Sequence, residues 1–333
     1  MVKSNSFYSK LQTTKGLDKR DNRGKRHDLA IILTGLTIAL FSKRDGNLSS
    51  IQRHMKHNYK KLCKSIQATP RSVISRSQLP VVLCQVDIDI FEGVLFDFFE
   101  IRLTDEEKRW FSADGKELRG SIEKGHKRGE AIVQVVEQAT GCIVAQGFYN
   151  GRKESEKPAI QHILVEKGLL SQKISFDALH FAPSLLDAIE DKKGVYLVGL
   201  KDNQKELLAD MAQVPTYLKP IYSYQTVEKG HGRIDQRQYE LFDVRKEYFD
   251  ARWKKSNLSC LVKVSRQRLH LKTGKTESET AYYMSNELPE NQMLGKDLCH
   301  ATRKHWSVET TNHLRDVTLN EDKFRTKKTI VRK

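Results

Sequence analysis

The sequence has few cysteines, and their spacing suggests neither a disulfide nor a metal site. Five cysteines are spread singly among 333 residues, and no C-x-x-C pair occurs. An odd number of dispersed cysteines is typical of a reducing compartment and argues against a disulfide framework or a zinc site. The sequence therefore predicts a cytoplasmic protein with free thiols.

Long hydrophobic runs are also missing. The longest apolar stretch, Leu29 to Phe41, is interrupted by Thr34, Gly35 and Thr37. It falls short of the roughly 20 apolar residues that a membrane-spanning helix needs. Residues 1–10 lack the apolar core of a secretory signal. We therefore expect neither a membrane segment nor a leader.

The charge is strongly unbalanced toward the basic side. Lysine and arginine number 58 against 42 aspartates and glutamates, which gives a net charge of +16. Such a surplus favours a polyanionic partner, and nucleic acid is the stronger candidate because no membrane signal accompanies it. When bound to DNA, the protein would be associated with the nucleoid.

The first 108 residues read as an all-helical domain. Asp28 is a plausible N-cap for a buried helix ending at Gly46, and a basic amphipathic helix should begin near Ser49. Thr69-Pro70 predicts a short third helix through Ser77. The last two helices are compatible with helix-turn-helix DNA binding, although many helical domains share the pattern. A further amphipathic helix is predicted around residues 90–99.

From about residue 109 the hydrophobic period indicates an α/β domain. Strands are predicted near 110–113, 131–137, 142–149, 174–176 and 194–200, with a helix at 161–170. This order is that of a ribonuclease H-like core. Residues 205–290 are mostly β in pattern, with strands near 239–244, 258–264 and 280–284, and would form an inserted β subdomain. One last helix is expected from Lys296 to Thr318.

Three carboxylates are candidates for a site. Asp114 and Asp177 each follow an apolar strand and precede a small residue, and Glu309 lies on a polar face of the last helix. Strand ends are rigid places on which to build a site. Taken singly, each has a plain structural alternative: a turn residue, a helix cap and a surface residue, respectively.

Several sequence blocks in fixed order resemble those of a known family. They are Asp21–His27 (DNRGKRH), Ala113–Ser121 (ADGKELRGS), Phe176–His180 (FDALH), Leu200–Gln204 (LKDNQ), His231–Arg237 (HGRIDQR), Arg303–Glu309 (RKHWSVE) and Asp316–Asp322 (DVTLNED). Together they resemble the H-repeat-associated transposases, a branch of the bacterial DDE insertion-sequence transposases. The likeness covers nearly the whole chain.

The resemblance implies a fold, a site and a reaction. The expected fold is ribonuclease H-like, with a helical DNA-binding domain over residues 1–108 and a catalytic domain over 109–333. Asp114, Asp177 and Glu309 would be the catalytic acids and the ligands of Mg²⁺ or Mn²⁺. The substrates would be the terminal inverted repeats of the element and a target DNA, bound by a homodimer.

Further residues are assigned to DNA contact by the same resemblance. They are Lys116, Arg119, Lys201, Asn203, Gln204, His231, Arg233, Arg237, Arg303, Lys304 and His305. For Lys201, Asn203 and Gln204 a role in holding the loop near Asp177 is an equal alternative. For the basic turn at 231–237 the alternative is a solvated β-turn.

Some features depart from the family pattern. Thr310 stands where the branch usually has asparagine, and Ser155 also replaces an asparagine. Relatives continue with more helix beyond the position where this chain stops, so a C-terminal truncation is expected. The competing hypotheses are therefore a catalytically inactive, DNA-binding relative and, less specifically, a nuclease that cuts without joining.

Overall fold

A computed structural model describes residues 6–43, 47–101, 108–122, 125–151 and 153–318. The chain forms two compact units. One comprises residues up to Thr104 together with Glu117–Glu130 and the residues from Asn312 onward; the other comprises Asp105–Lys116 and Ala131–Thr311. None of the described helices combines the length and apolar character that crossing a membrane requires.

Among the described residues up to 101, the first unit contains five α-helices. They are α1 (Phe7–Thr13), α2 (Leu29–Lys43), α3 (Leu48–Ser65), α4 (Gln78–Leu83) and α5 (Ile88–Phe98). The predicted cap of α2 is confirmed, because an Asp28 carboxylate oxygen accepts from the backbone N–H of Ala30 at 2.8 Å. Asn47 caps α3 in the same way. The helices enclose one hydrophobic core in which the rings of Phe7 and Phe98 lie 5.2 Å apart.

The predicted third helix over residues 69–77 is wrong. The chain is irregular from residue 68 to 75, and α4 begins only at Gln78. Side chains of α3 hold this segment: Gln52 donates to the carbonyl of Ile74 at 2.9 Å, and the Tyr59 hydroxyl accepts from the Arg71 N–H at 3.3 Å. Burial of Ile74 outweighs the local preference for a helix after proline. Residues 49–77 therefore do not form the predicted helix-turn-helix.

The second unit is built on a nine-stranded mixed sheet. Its strands are β1 (Trp110–Glu117), β2 (Glu130–Glu137), β3 (Ile143–Asn150), β4 (Lys173–Phe176), β5 (Val195–Leu200), β6 (Tyr222–Gly230), β7 (Arg233–Asp243), β8 (Cys260–His270) and β9 (Thr276–Ser285). Their spatial order is β3-β2-β1-β4-β5-β9-β8-β7-β6. Strands β1, β4 and β5 are parallel. The α/β class and the β2–β3 hairpin are confirmed.

The strands of the predicted insertion continue this sheet. β9 pairs antiparallel with β5, with Val198 opposite Met284, and the remaining three strands follow outward. The sequence pattern missed β6 because its residues are largely exposed and polar. β6 and β7 form a hairpin whose turn residues, His231 and Gly232, have φ of 49° and 72°, as a tight two-residue hairpin turn requires.

In the part of the chain that the structure describes, five α-helices follow β3 in sequence. They are α6 (Glu156–Glu166), α7 (Pro183–Asp191), α8 (Lys205–Tyr217), α9 (Gln292–Lys304) and α10 (Ser307–Val317). The prediction of one continuous helix over 296–318 is wrong, because a turn at residues 305–306 interrupts the helix. The spacing of Trp306, Leu314 and Val317 also predicts a stripe facing the core, and this is wrong, because the three side chains are 52%, 53% and 61% exposed. The buried position is Val308.

Candidate active site

The two predicted aspartates lie on neighbouring strands. In the parallel pair β1–β4, Ala113 is opposite Phe176, so Asp114 and Asp177 follow at the same level of the sheet. One detail of the prediction is wrong: β1 runs on to Glu117, so Asp114 lies within the strand rather than at its end. It is β4 that stops, at Phe176. The parallel register is what brings the two carboxylates together.

Asp177 also fixes the turn that follows β4. One of its carboxylate oxygens accepts from the Leu179 N–H at 3.0 Å, so the capping alternative describes a real contact. The amides of Asn203 and Gln204 donate to the carbonyls of Ala178 and Phe181 at 2.6 and 3.0 Å. These two side chains therefore hold the turn beside Asp177. DNA contact by them stays a prediction.

Two further residues of the site were not predicted from the sequence. Glu156 lies in the first turn of α6, and one of its carboxylate oxygens is 2.9 Å from Nε2 of the buried His180. A Cβ atom at Gly115 would lie 2.2 Å from the Glu156 carboxyl carbon, so the carboxylate rests directly on the glycine beside Asp114. The prediction started this helix at residue 161, which left Glu156 in a loop. The available signal was Ser155, an N-cap residue type, followed by a glutamate.

Negative charge is concentrated around Asp114. Burial, then the neighbouring carboxylate of Glu156 and then that of Asp177, raises the pKa of Asp114 to about 7, against opposing contributions from the Gly115 backbone N–H and His180. A carboxylate inside a protein ionises less readily when other carboxylates stand close to it. The site therefore disfavours its own full ionisation as long as no cation compensates it.

This raised pKa predicts a pH-dependent stability. The pKa of Asp114 is higher in the folded than in the unfolded chain, so the folded state binds the proton more tightly and loses stability as pH rises from about 4 to 7. Each pKa unit corresponds to about 1.4 kcal/mol. In metal-free buffer, Asp114→Asn should therefore melt at nearly the wild-type temperature at pH 4 and several degrees higher at pH 8. Asp210→Asn, at an exposed position of α8, is the control. If the difference in melting temperature between Asp114→Asn and the wild type does not grow as pH rises, the pKa of Asp114 is not raised in the folded protein.

Glu309 lies close to a buried polar network. Nδ1 of His305 is 3.0 Å from the Ser175 hydroxyl on β4, and the amide of the buried Gln138 donates to the same hydroxyl at 2.9 Å. Burial first, and then the charges of His180 and Lys201, lowers the pKa of His305 to about 4. His305 is thus a neutral anchor for the start of α10, which carries the exposed Glu309.

The donors suit a hard divalent cation. Oxygen ligands from carboxylates are those that Mg²⁺ and Mn²⁺ prefer, and the negative charge around Asp114 favours a bound cation. Among the described residues, however, no three His, Cys, Asp or Glu side chains already stand as a ligand set. The structure brings Asp114 and Asp177 to adjacent strands, and it does not gather the full triad with Glu309.

The basic residues predicted to contact DNA differ in how exposed they are. Exposed positions include Lys201 after β5, Lys304 at the end of α9 and Arg119 in the turn after β1, whereas Lys116 is buried. Arg303 reaches Glu228 of β6 at 3.5 Å.

The arginines around the β6–β7 hairpin pair with carboxylates. Arg233 contacts Asp235 at 3.1 Å, and the buried Arg237 contacts Glu228 at 2.8 Å. Direct DNA contact by Arg237 would therefore require this buried side chain to leave its ion pair with Glu228, whereas His231 is exposed at the tip of the hairpin. DNA contact by these residues stays a prediction.

Comparisons with known proteins identify a family. Residues 91–332 match the family model described as "Transposase DDE domain". The chain is 30% identical over 254 residues to "Putative transposase YncI" of Escherichia coli O157:H7, which covers 73% of this chain and 63% of that protein. It is 27% identical over 224 residues to "H repeat-associated putative transposase YhhI" of Escherichia coli (strain K12), covering 65% and 58%.

These relatives are longer than the part that aligns with this chain, which spans 63% and 58% of their lengths. The family match nevertheless covers well over half of the present chain and includes Asp114, Asp177 and Glu309. The paired aspartates, the mixed sheet that carries them and the sequence likeness lead to the same assignment. The chain belongs to the DDE transposase family and has H repeat-associated transposases among its relatives.

Proposed function

We propose that this protein is a DNA transposase with a ribonuclease H-like core that cleaves the ends of an insertion sequence and joins them to target DNA. The observation that supports the proposal most strongly is the pair Asp114–Asp177, aligned by the parallel register of β1 and β4. Transfer of a phosphodiester demands little covalent chemistry of the protein, and mostly requires positioning and charge stabilisation.

Asp114, Asp177 and Glu309 would hold Mg²⁺ or Mn²⁺. When bound, the cation supplies positive charge for the phosphate oxygens and the leaving oxygen. The residues of the chain set the geometry around it. Asn203 and Gln204 fix the turn next to Asp177, while His305, bonded to Ser175, anchors the helix that presents Glu309. Both ends of the element would be processed by a homodimer, associated with the nucleoid while bound to DNA.

DNA affinity is assigned mainly to residues 1–108. The helical unit has an open cavity of about 920 Å³ whose lining includes Lys15, Lys25 and Arg71. The two aspartates of this lining are already engaged: Asp18 pairs with Arg20, and Asp28 caps α2. Cations around a groove suit the phosphates of a DNA backbone.

The second candidate function is a DNA-binding relative that does not transpose. It is favoured by one observation: within the described residues, no three potential ligands are gathered for a cation. Such a protein would occupy the terminal repeats and thereby compete with an active transposase.

A nicking assay separates the two functions. The substrate is a duplex carrying the ends of the genomic element, with Mn²⁺ present. We expect cleavage that requires Mn²⁺ and is lost in Asp114→Asn, because the cation and its carboxylate ligands stabilise the charge of the transferred phosphate. Such cleavage would exclude the non-transposing alternative. Binding of the duplex without any Mn²⁺-dependent cleavage would favour it.

A further inference from the structure

The carboxylate of Glu156 is held beside Asp114 by two independent contacts. Nε2 of His180 lies 2.9 Å from one oxygen, and His180 is 1% exposed. Gly115 provides the surface against which the carboxyl group rests, since any side chain there would overlap it. A glutamate on a protein surface usually has neither a buried hydrogen-bond partner nor a glycine packed against its carboxylate.

These contacts leave only 21% of the Glu156 side chain exposed. The glycine on which its carboxylate rests directly follows Asp114 in β1. Two carboxylates held close together repel each other, and a bound cation relieves that repulsion. Ligating carboxylates are commonly oriented by a hydrogen bond from a second residue, and His180 is placed to provide one.

We infer that Glu156 is a fourth acidic residue of this site, which helps Asp114 to bind the divalent cation, and that His180 is its positioning residue. The inference rests on the proposed function, because it concerns the same cation. It adds an acid from α6 to the predicted triad of Asp114, Asp177 and Glu309.

The geometry provides a way to move Glu156 without removing charge. In Gly115→Ala the new methyl group meets the far end of the flexible Glu156 side chain, so the carboxylate must shift while the strand stays in place. The matched control is Gly147→Ala on β3, where the nearest atoms, from Val133 and Ile163, lie 3.4 and 3.6 Å away. For the charge itself, Glu156→Gln is compared with Glu166→Gln at the exposed C-terminal end of α6.

The measurement is Mn²⁺ affinity of the full chain, by titration calorimetry and by the paramagnetic resonance of free Mn²⁺. Glu156→Gln and Gly115→Ala should each weaken Mn²⁺ binding at least tenfold, and the two control variants should leave it unchanged. As a single change, His180→Leu should weaken Mn²⁺ binding about as much as Glu156→Gln does. Added to Glu156→Gln, it should weaken binding little further, because the effects of two residues that act through one contact are not additive. His180→Gln, which keeps an N–H donor, should restore part of the affinity.

Thermal melting in metal-free buffer checks that each variant is folded. If Asp114→Asn abolishes Mn²⁺ binding while folded Glu156→Gln and Gly115→Ala bind as the wild type does, the role of Glu156 is refuted and the proposed site stands. If Asp114→Asn also leaves Mn²⁺ binding intact, the proposed cation site itself is refuted. Loss of affinity in Glu156→Gln alone, with Gly115→Ala normal, would refute the positioning by Gly115 and His180.

Discussion

Replacing Asp114 or Asp177 with asparagine should abolish DNA cleavage that depends on Mg²⁺ or Mn²⁺. Each change keeps the shape of the side chain and removes the negative charge that holds the cation. Loss of one preorganised electrostatic group typically costs on the order of 10²–10³-fold in rate, and loss of a metal ligand should cost at least as much. The measurement is the initial rate at which the protein nicks a terminal-repeat duplex.

The structure provides a control for this loss of activity. Asp210→Asn removes the same charge from an exposed position on α8 and should leave the nicking rate unchanged. The two active-site variants should also act as a unit, so that the double variant is no slower than the worse single one. Substantial cleavage by Asp114→Asn would mean that this aspartate has a structural role and is not a ligand of the cation.

DNA binding should depend steeply on salt and on the helical unit. Lysine and arginine contacts release counterions, and a protein making 6–10 phosphate contacts loses about 10³–10⁵-fold in affinity between 50 and 200 mM salt. Removing residues 1–108 should therefore cost most of the affinity. A fragment of residues 109–333 that binds the terminal repeats as tightly as the full chain would contradict this assignment.

Within the helical unit, two basic surfaces can be compared at equal charge. Changing Lys15, Lys25 and Arg71 to serine removes three cations from the cavity, and changing Lys60, Lys61 and Lys64 removes three from the exposed side of α3. We expect the cavity variant to lower the salt slope by about 0.9 for each lost phosphate contact, and the α3 variant to change it less. A larger decrease of the salt slope in the α3 variant than in the cavity variant would indicate that DNA binds to α3.

Much of the fold could be predicted because its elements carry strong local signals. Apolar strands bounded by turn residues gave β1, β2, β3 and β5, and Asp28 marked the start of α2. The two aspartates were found because each follows an apolar run and precedes a small residue, and because the blocks around them resemble a known family. Their proximity, in contrast, depends on a parallel register, which is set by the packing of the whole sheet.

The errors arose where tertiary contacts overrule local preference. Residues 69–77 have the residues of a helix start but are held irregular by Gln52 and Tyr59. The last helix breaks at 305–306, where His305 bonds to Ser175, although the apolar period runs through the break. Glu156 was missed because its importance lies entirely in contacts with Gly115 and His180, which are 41 and 24 residues away in sequence.

The shift of the melting temperature with Mn²⁺ decides whether Asp114 and Asp177 belong to a site for a divalent cation. A ligand at a hundred times its Kd stabilises the folded state by about 2.7 kcal/mol, which for a domain of this size is on the order of 5–10 °C. The wild type should show such a rise in saturating Mn²⁺, and the triple variant Asp114→Asn, Asp177→Asn, Glu309→Gln should show none. A rise of equal size in the triple variant would contradict cation binding at Asp114 and Asp177, because the cation would then be bound elsewhere.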